Sequence, residues 1–417
     1  MKPTILIISG GASTRMYPLN KSRHKGLIPL GGQSLIYQTI AAAFKNGFKK
    51  FVVIVSPTGD NQTLEKKLLN DFNEIDITLI TQENALGMGA AVLQAKDHLQ
   101  GSFITLAPYH FSAIDTIEKL LSTSTAINAG TNAAICTTKT ETPWRYGIAQ
   151  IENGKAISIV EKPEKGSEPS DQKVQACYLL NQTFLSILEQ TEPSHYSFET
   201  ALNELMQQED VLALELEKNL PSLKYPWQLF ELQKEYFNSL SETTIADSAT
   251  IAQTAVLDDS NGPIIIEEQA SVGHAAKIVG PSYIGKNVVI GDFTFIRQST
   301  IEENTVIGAN TEVVRSVILE KCNIHFGYLA DSVLDQNVKI AAGLVTANKR
   351  LDRENIAITT KEKTIDSRTD RLGILAGEGA ETGIKVGTMP GVILGPNSKI
   401  FPGVIVFNSV EENEVKK

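Results

Sequence analysis

The stretch IIIEEQASVGHAAKIVGPSYIGKNVVIGDFTFI, residues 264–296, sets Ile266, Val272, Ile278, Ile284, Ile290 and Ile296 six residues apart without a slip. Glycines follow three of them, at Gly273, Gly285 and Gly291. A helix repeats near 3.6 residues and a strand at two, so a strict six belongs to neither. It fits three short flat strands per coil, the design of a parallel β-helix. The aliphatic residue of each hexad then points into a triangular prism, and small residues take its corners. The period resumes one residue short at Ile301, Ile307 and Val313, and again at Leu394, Ile400 and Val406.

The remaining composition bounds the reading. A chain of 417 residues, 42% apolar and 21% charged, can bury two or three domain cores. A net charge of -10 argues against a general role on nucleic acid or membrane surfaces, while leaving room for local basic sites. Cys136, Cys177 and Cys322 are odd in number and lack metal-ligand spacing, which reads as reduced thiols. Residues 1–8 form a short apolar segment that ends in a glycine loop, unlike a signal peptide, and no apolar run reaches bilayer length. These features predict a cytoplasmic protein whose partners are small molecules, with neither nucleic acid nor membrane among them.

The first part alternates strands (5–8, 51–55, 77–80, 103–106) with helices (34–48, 62–72, 89–98). That alternation predicts a doubly wound, mostly parallel α/β sheet with a ligand beyond the carboxyl ends of its strands. Residues 148–160, turning at Asn153-Gly154, predict a hairpin. The expected domains are 1–232, a connecting helix at 233–242, and the coiled region 243–417. The charged stretch 346–371 interrupts the hexads and reads as a projecting loop.

Ser9-Gly10-Gly11-Ala12-Ser13-Thr14-Arg15 follows the first strand. Gly10, Gly11 and Thr14 allow backbone N–H groups close to an anion, and Arg15 adds a planar fork for phosphate oxygens. The loop is neither a Walker loop nor a dinucleotide fingerprint. With its surroundings, it resembles the opening signature of sugar-1-phosphate nucleotidyltransferases. The lysine of that signature falls at Lys25, in His24-Lys25-Gly26-Leu27-Ile28-Pro29. Gln82 with Gly87, Tyr146-Gly147 and Glu161-Lys162-Pro163 resemble later family motifs, in the family's order. The resemblance implies that Arg15 and Lys25 hold a triphosphate and that Gln82 and Gly87 contact base and ribose. Gly147 and Glu161 would contact the sugar, and Lys162 its phosphate.

The family's reaction, attack of a sugar phosphate on an NTP with loss of pyrophosphate, uses Mg²⁺ held by two aspartates. Tyr109 and Ser222 stand in their places, and neither is a usual ligand for so hard an ion. Asp97 and Asp115 are the alternative donors. The substitutions predict no metal site and a nucleotidyl transfer that is weakened or lost.

Asn323-Ile324-His325-Phe326-Gly327-Tyr328-Leu329-Ala330-Asp331-Ser332, then Ala341-Ala342-Gly343-Leu344-Val345-Thr346-Ala347-Asn348, resemble the acetyltransferase segments of bifunctional hexapeptide-repeat enzymes. The nearest likeness is to archaeal-type nucleotidyltransferase/amino-sugar-1-phosphate acetyltransferases. It implies a left-handed β-helix, acetyl-CoA as co-substrate and a homotrimer with active sites between chains. His325 would be the general base, a role that imidazole commonly fills. Tyr328 and Asn348 would bind acceptor or acyl group. Gly327, Ala341, Leu344 and Lys385 depart from the family's usual residues. Two other readings stay open: a single-activity nucleotidyltransferase with a structural β-helix, and a catalytically silent regulatory or scaffold subunit.

Overall fold

The computed structural model describes residues 2–11, 13–82, 86–126, 133–359 and 364–417, with backbone alone at 123–126. They form two compact units: Met1–Ala12 with Leu35–Ser222, and Ser13–Ser34 with Leu223–Lys417. This division departs from the sequence boundaries twice. The chain changes unit after Ser222 rather than near 232, and the arm Ser13–Ser34 belongs with the C-terminal unit.

The first unit begins with β1 (Thr4–Ser9), α1 (Leu35–Lys45), β2 (Lys50–Val55), α2 (Asn61–Asp71), β3 (Asp76–Thr81), α3 (Gly87–Gln94) and β4 (Phe103–Leu106). It continues through α4 (Ile114–Ala126), β5 (Ala134–Lys139), β6 (Gly147–Glu152), β7 (Lys155–Glu161), β8 (Gln172–Leu180), α5 (Gln182–Gln190), α6 (Ser197–Gln208) and β9 (Val211–Glu215). One sheet orders them β3-β2-β1-β4-β8-β5-β9-β7-β6. The parallel half reads β3-β2-β1-β4, and β1 to β4 is its reversal point, where ligands of such sheets bind. β1 and β2 are continuous apolar runs because both faces are covered. β6 and β7 pair as the expected hairpin, with Asn153 and Gly154 both at positive φ (51° and 78°), the conformation a two-residue turn demands.

The second unit is a left-handed parallel β-helix preceded by α7 (Leu229–Asn238). Three parallel sheets form its walls. We call them the first, second and third faces, carried by Ile266, Val272 and Ile278 in the second coil. Successive hexads step around them, so Ile284, Ile301 and Ile318 stack on the first face and Ile290, Ile307 and Ile324 on the second. All twelve residues of the sequence-derived stripe are at most 3% exposed and share one core. Burying each such side chain contributes about 1.5–3 kcal/mol.

Between Leu334 and Leu394 the stripe continues on Ile340, Thr346, Ala376, Thr382 and Thr388, where polar threonines disguise it. The corners are tight. Gln269, Ala275, Asn287, Phe293, Asn304, Asn310, Lys321 and Asn337 all take φ between 54° and 61°. Asparagine recurs there because it tolerates the left-handed region better than other side-chain-bearing residues.

The corner between the first and second faces is an acidic edge. Along it stand Glu302, Glu320, Asp335, Glu378, and in the last coil Glu411 with Glu412. The arm lies along it. Gly31 and Gly32 donate their N–H groups to the two oxygens of Glu302 (2.7 and 3.0 Å). Ser22 donates to Asp335 (2.8 Å), Arg23 pairs with Glu320 (2.6 Å), and Lys21 with Glu412 (2.9 Å). Burial pushes the Glu302 carboxyl up to about 8, while the two amides it accepts pull the other way.

The interruption at 346–371 does not project as the sequence suggested. Ala357–Thr359 and Thr364–Asp366 pair as a hairpin, and Ile356 and Ile358 are buried. Ser409 donates to Thr359 O, so the segment lies back along the rod. Its basic residues Lys361 and Lys363 lie outside the described residues.

Candidate functional site

In the first unit the loop after β1 brings Gly10 against Gln82. A Cβ at Gly10 would fall 1.9 Å from Gln82 Oε1, so only glycine permits this contact. Gln82 is buried, and its Nε2 has no hydrogen-bond partner among the described residues. Gly11 sits at φ 86° and Gly87 at φ 88°. A Cβ on Gly87 would come within 2.9 Å of the His195 carbonyl.

Across the β6–β7 hairpin Gly147 faces Glu161, whose Oε1 lies 2.3 Å from where a Gly147 Cβ would stand. Lys162 is exposed, with φ 45° and its N–H donated to Tyr146 O (3.0 Å). Glu199 joins this pair, a residue the sequence did not single out. Burial raises its carboxyl, and the Glu161 charge adds to the effect.

Thr14, Arg15 and Lys25 belong to the second unit. Thr14 and Arg15 are exposed and line a cavity of about 700 Å³ that also includes the stacked Tyr225 and Trp227 rings, 4.6 Å apart. Lys25 donates to Leu223 O (3.1 Å). Burial, then Arg15 and Lys224, hold its ammonium down at about 8. Three cations therefore converge, an arrangement that an anion would relieve. Lys224 was missed because a lone lysine carries no sequence signal.

This convergence predicts a pH dependence. A bound polyanion favours the charged ammonium, so affinity for inorganic triphosphate should fall as pH rises above about 8, approaching about tenfold per pH unit. Titration calorimetry between pH 7 and 10 reads it, and Lys25→Met should give weaker, nearly pH-independent binding.

The family's Mg²⁺ does not fit the residues present. Tyr109 is buried with its ring edge-on to His110 (5.2 Å), and Ser222 offers only a hydroxyl. Asp97 and Asp115 are both exposed on helical segments, and no metal-holding group of His, Cys, Asp and Glu occurs among the described residues. His110 bridges the two segments instead. Its Nδ1 accepts from Ala107 N (3.3 Å), which leaves Nε2 to donate to Pro221 O (3.3 Å). A hydrogen-bonded bridge within the chain thus joins the end of β4 to the residue beside Ser222.

On the β-helix, His325 and Phe326 form the corner between the second and third faces. That corner is one residue shorter than the one below it: Ile324 to Leu329 is five residues, against six from Ile307 to Val313. His325 is exposed. Tyr328 stands on the third face between Glu312 and Val345, and Asn348 follows that face one coil later. The three residues therefore span a single face, with His325 and Asn348 at its two edges.

Asn348 is held rather than loose. Its amide nitrogen donates to Asp331, which also takes a two-pronged bond from Arg315 (2.6 and 2.7 Å). The Leu372 N–H closes on Asn348 O, and the Gly373 N–H on Asp331 O. A Cβ on Gly373 would stand 2.2 Å from Ala330 O. Arg315 and Asp331 were not assigned roles from sequence, although Asp331 lies inside the diagnostic segment.

A nucleotidyl transferase family model matches residues 4–221, and a GMPPB C-terminal domain model matches residues 260–365. The chain is 31% identical to a bifunctional sugar-1-phosphate nucleotidylyltransferase/acetyltransferase from Sulfurisphaera tokodaii, covering 99% of both chains. It belongs to that family. A bifunctional protein GlmU from Methanococcus maripaludis is 28% identical over 98% of this chain and 95% of its own. An uncharacterized acetyltransferase YaiX from Escherichia coli is 33% identical over 47% of this chain and 91% of its own. Family membership makes the protein an enzyme of the transferase class, and no helix among the described residues is long and apolar enough to cross a membrane.

Proposed function

We propose that the β-helix N-acetylates an amino-sugar-1-phosphate with acetyl-CoA, while the first domain binds nucleotide and sugar phosphate with metal-dependent transfer weakened or lost. The observation that carries this reading is the contrast between the two sites. His325, Tyr328 and Asn348 share one face of the rod, whereas Tyr109 and Ser222 stand where two metal-bearing carboxylates belong.

In the acetyl transfer the sugar amine attacks the thioester carbonyl. The C–N bond forms, the C–S bond breaks, His325 takes the amine proton, and the departing CoA sulfur receives a proton. Tyr328 and Asn348 bind acceptor or acyl group on that face.

The working form is a homotrimer in the cytoplasm. The edge that carries His325 is also lined by exposed Phe293, Phe326, Ile384 and Phe401. An apolar row of this size is a natural seam between copies, and burying it would enclose the imidazole in a dry cleft.

A regulatory role for the first domain is the second reading. It is favoured by the His110 bridge.

A paired assay tests the proposal: thiol release from acetyl-CoA with amino-sugar phosphates, and pyrophosphate release from the common NTPs with Mg²⁺. Thiol release alone is expected. Robust Mg²⁺-dependent pyrophosphate release without thiol release would instead make the chain a single-activity nucleotidyltransferase.

A further inference from the structure

We propose that the acidic edge of the β-helix positions the phosphate-binding arm, making Glu302, Glu320 and Asp335 positioning residues for anion binding at Arg15 and Lys25. This rests on the reading of Arg15 and Lys25 as phosphate ligands.

The arm Ser13–Ser34 carries both cations yet contains little structure of its own. It has two single-turn 3₁₀ segments, Thr14–Met16 and Lys25–Leu27, and a short pairing of Pro29–Leu30 with Gln33–Ser34. Such a segment cannot fix a guanidinium by itself, because ordering its backbone costs conformational entropy that little internal structure offsets. The rod supplies the missing order. Glu302, 1% exposed, takes both glycine amides at the arm's far end.

Midway, the Arg23 guanidinium is shared by Glu320 Oε1 and Gln336 Oε1, each at 2.6 Å, with Asp335 at 3.8 Å. Its side chain is 12% exposed and that of Asp335 0%. Charged groups buried this deeply are geometric locks, since breaking one partner leaves the other stranded.

Nearer Arg15, Pro18 and Tyr17 rest on bare backbone. A Cβ at Gly377 would meet Pro18 Cβ at 2.9 Å, and one at Gly395 would meet the Tyr17 hydroxyl at 2.7 Å. The wall of the Arg15 cavity is completed by Ser409, Glu411 and Asn413 of the final coil. The rod therefore touches the arm on both sides of Arg23 and builds part of the surface around Arg15.

The test uses the full chain with inorganic triphosphate as probe, measured by calorimetry, together with amide hydrogen exchange. Glu302→Ala and, as a second route, Arg23→Gln should each weaken triphosphate binding at least tenfold. Exchange should rise in peptides from 13–34 and stay unchanged in coils 264–296. Glu302→Ala should cost clearly less in an Arg15→Ala background than in the parent, a non-additivity that general destabilisation would not produce.

Faster arm exchange with affinity still within twofold of the parent would overturn the proposal, as would arm exchange unchanged in both variants. Triphosphate binding that is absent from the parent, or indifferent to Arg15→Ala, overturns the phosphate reading itself. That outcome is recognisable because arm exchange in Glu302→Ala would still rise.

Discussion

His325→Ala is expected to lower acetyl transfer from acetyl-CoA to an amino-sugar phosphate by roughly 10²- to 10⁴-fold, the usual worth of a positioned general base. The ring lies on the surface of the prism, so its removal opens no cavity in the core. The β-helix should accordingly melt within about 0.5 kcal/mol of the parent, as for a surface substitution away from buried networks. Steady-state thiol release read beside thermal unfolding separates chemistry from folding. Parent-like turnover in the alanine variant would remove His325 from the mechanism and take the acetyltransferase reading with it.

The second large effect belongs to Asp331→Ala. Asp331 is 5% exposed and serves as the common acceptor for Arg315 and Asn348. Deleting it strands a guanidinium, for which the cost in a buried pair is about 3–5 kcal/mol. The Arg315 side chain keeps 26% of its exposure, so the lower end of that range is expected. Asn348 also loses its anchor, which should raise the KM for the amino sugar more than it lowers kcat. Chemical denaturation followed by fluorescence gives the first number, and initial rates give the second. Asp331→Asn, which retains one acceptor oxygen, should recover part of both. Stability and KM unchanged in the alanine variant would show that the network orders nothing.

The β-helix was legible because its core needs one aliphatic residue per face, and residues 264–296 supply them without interruption. The stripe was lost at Thr382 and Thr388 because a threonine can fill an inward position while reading as polar. The hairpin within 349–371 was invisible as a packed element, since its buried Ile356 and Ile358 sit among charges.

In the first domain the parallel half followed from alternating periodicity. The insertion of β8 between β4 and β5 did not, because local pattern carries no pairing order. Gly10, Gln82, Gly147 and Glu161 were readable as motifs, and their close approaches account for the glycines.

The acidic edge escaped for a different reason. Its carboxylates at 302, 320, 335 and 412 follow no fixed interval, since coils lose a residue at the corners between Ile296 and Ile301 and again between Val313 and Ile318. Their partners lie far away in sequence, 271 residues from Glu302 to Gly31 and 313 from Asp335 to Ser22.

Repeat rods ordinarily tolerate gain or loss of a rung, because each rung needs only its two neighbours. This one should not. The strap from Gly31 to Lys21 is pinned at rungs five strand spacings apart, from Ile301 to Val410 along the first face, or roughly 24 Å at about 4.8 Å per spacing. One added rung would pull its fastenings out of step, so the length of the rod is set by a ruler made from the opposite end of the polypeptide.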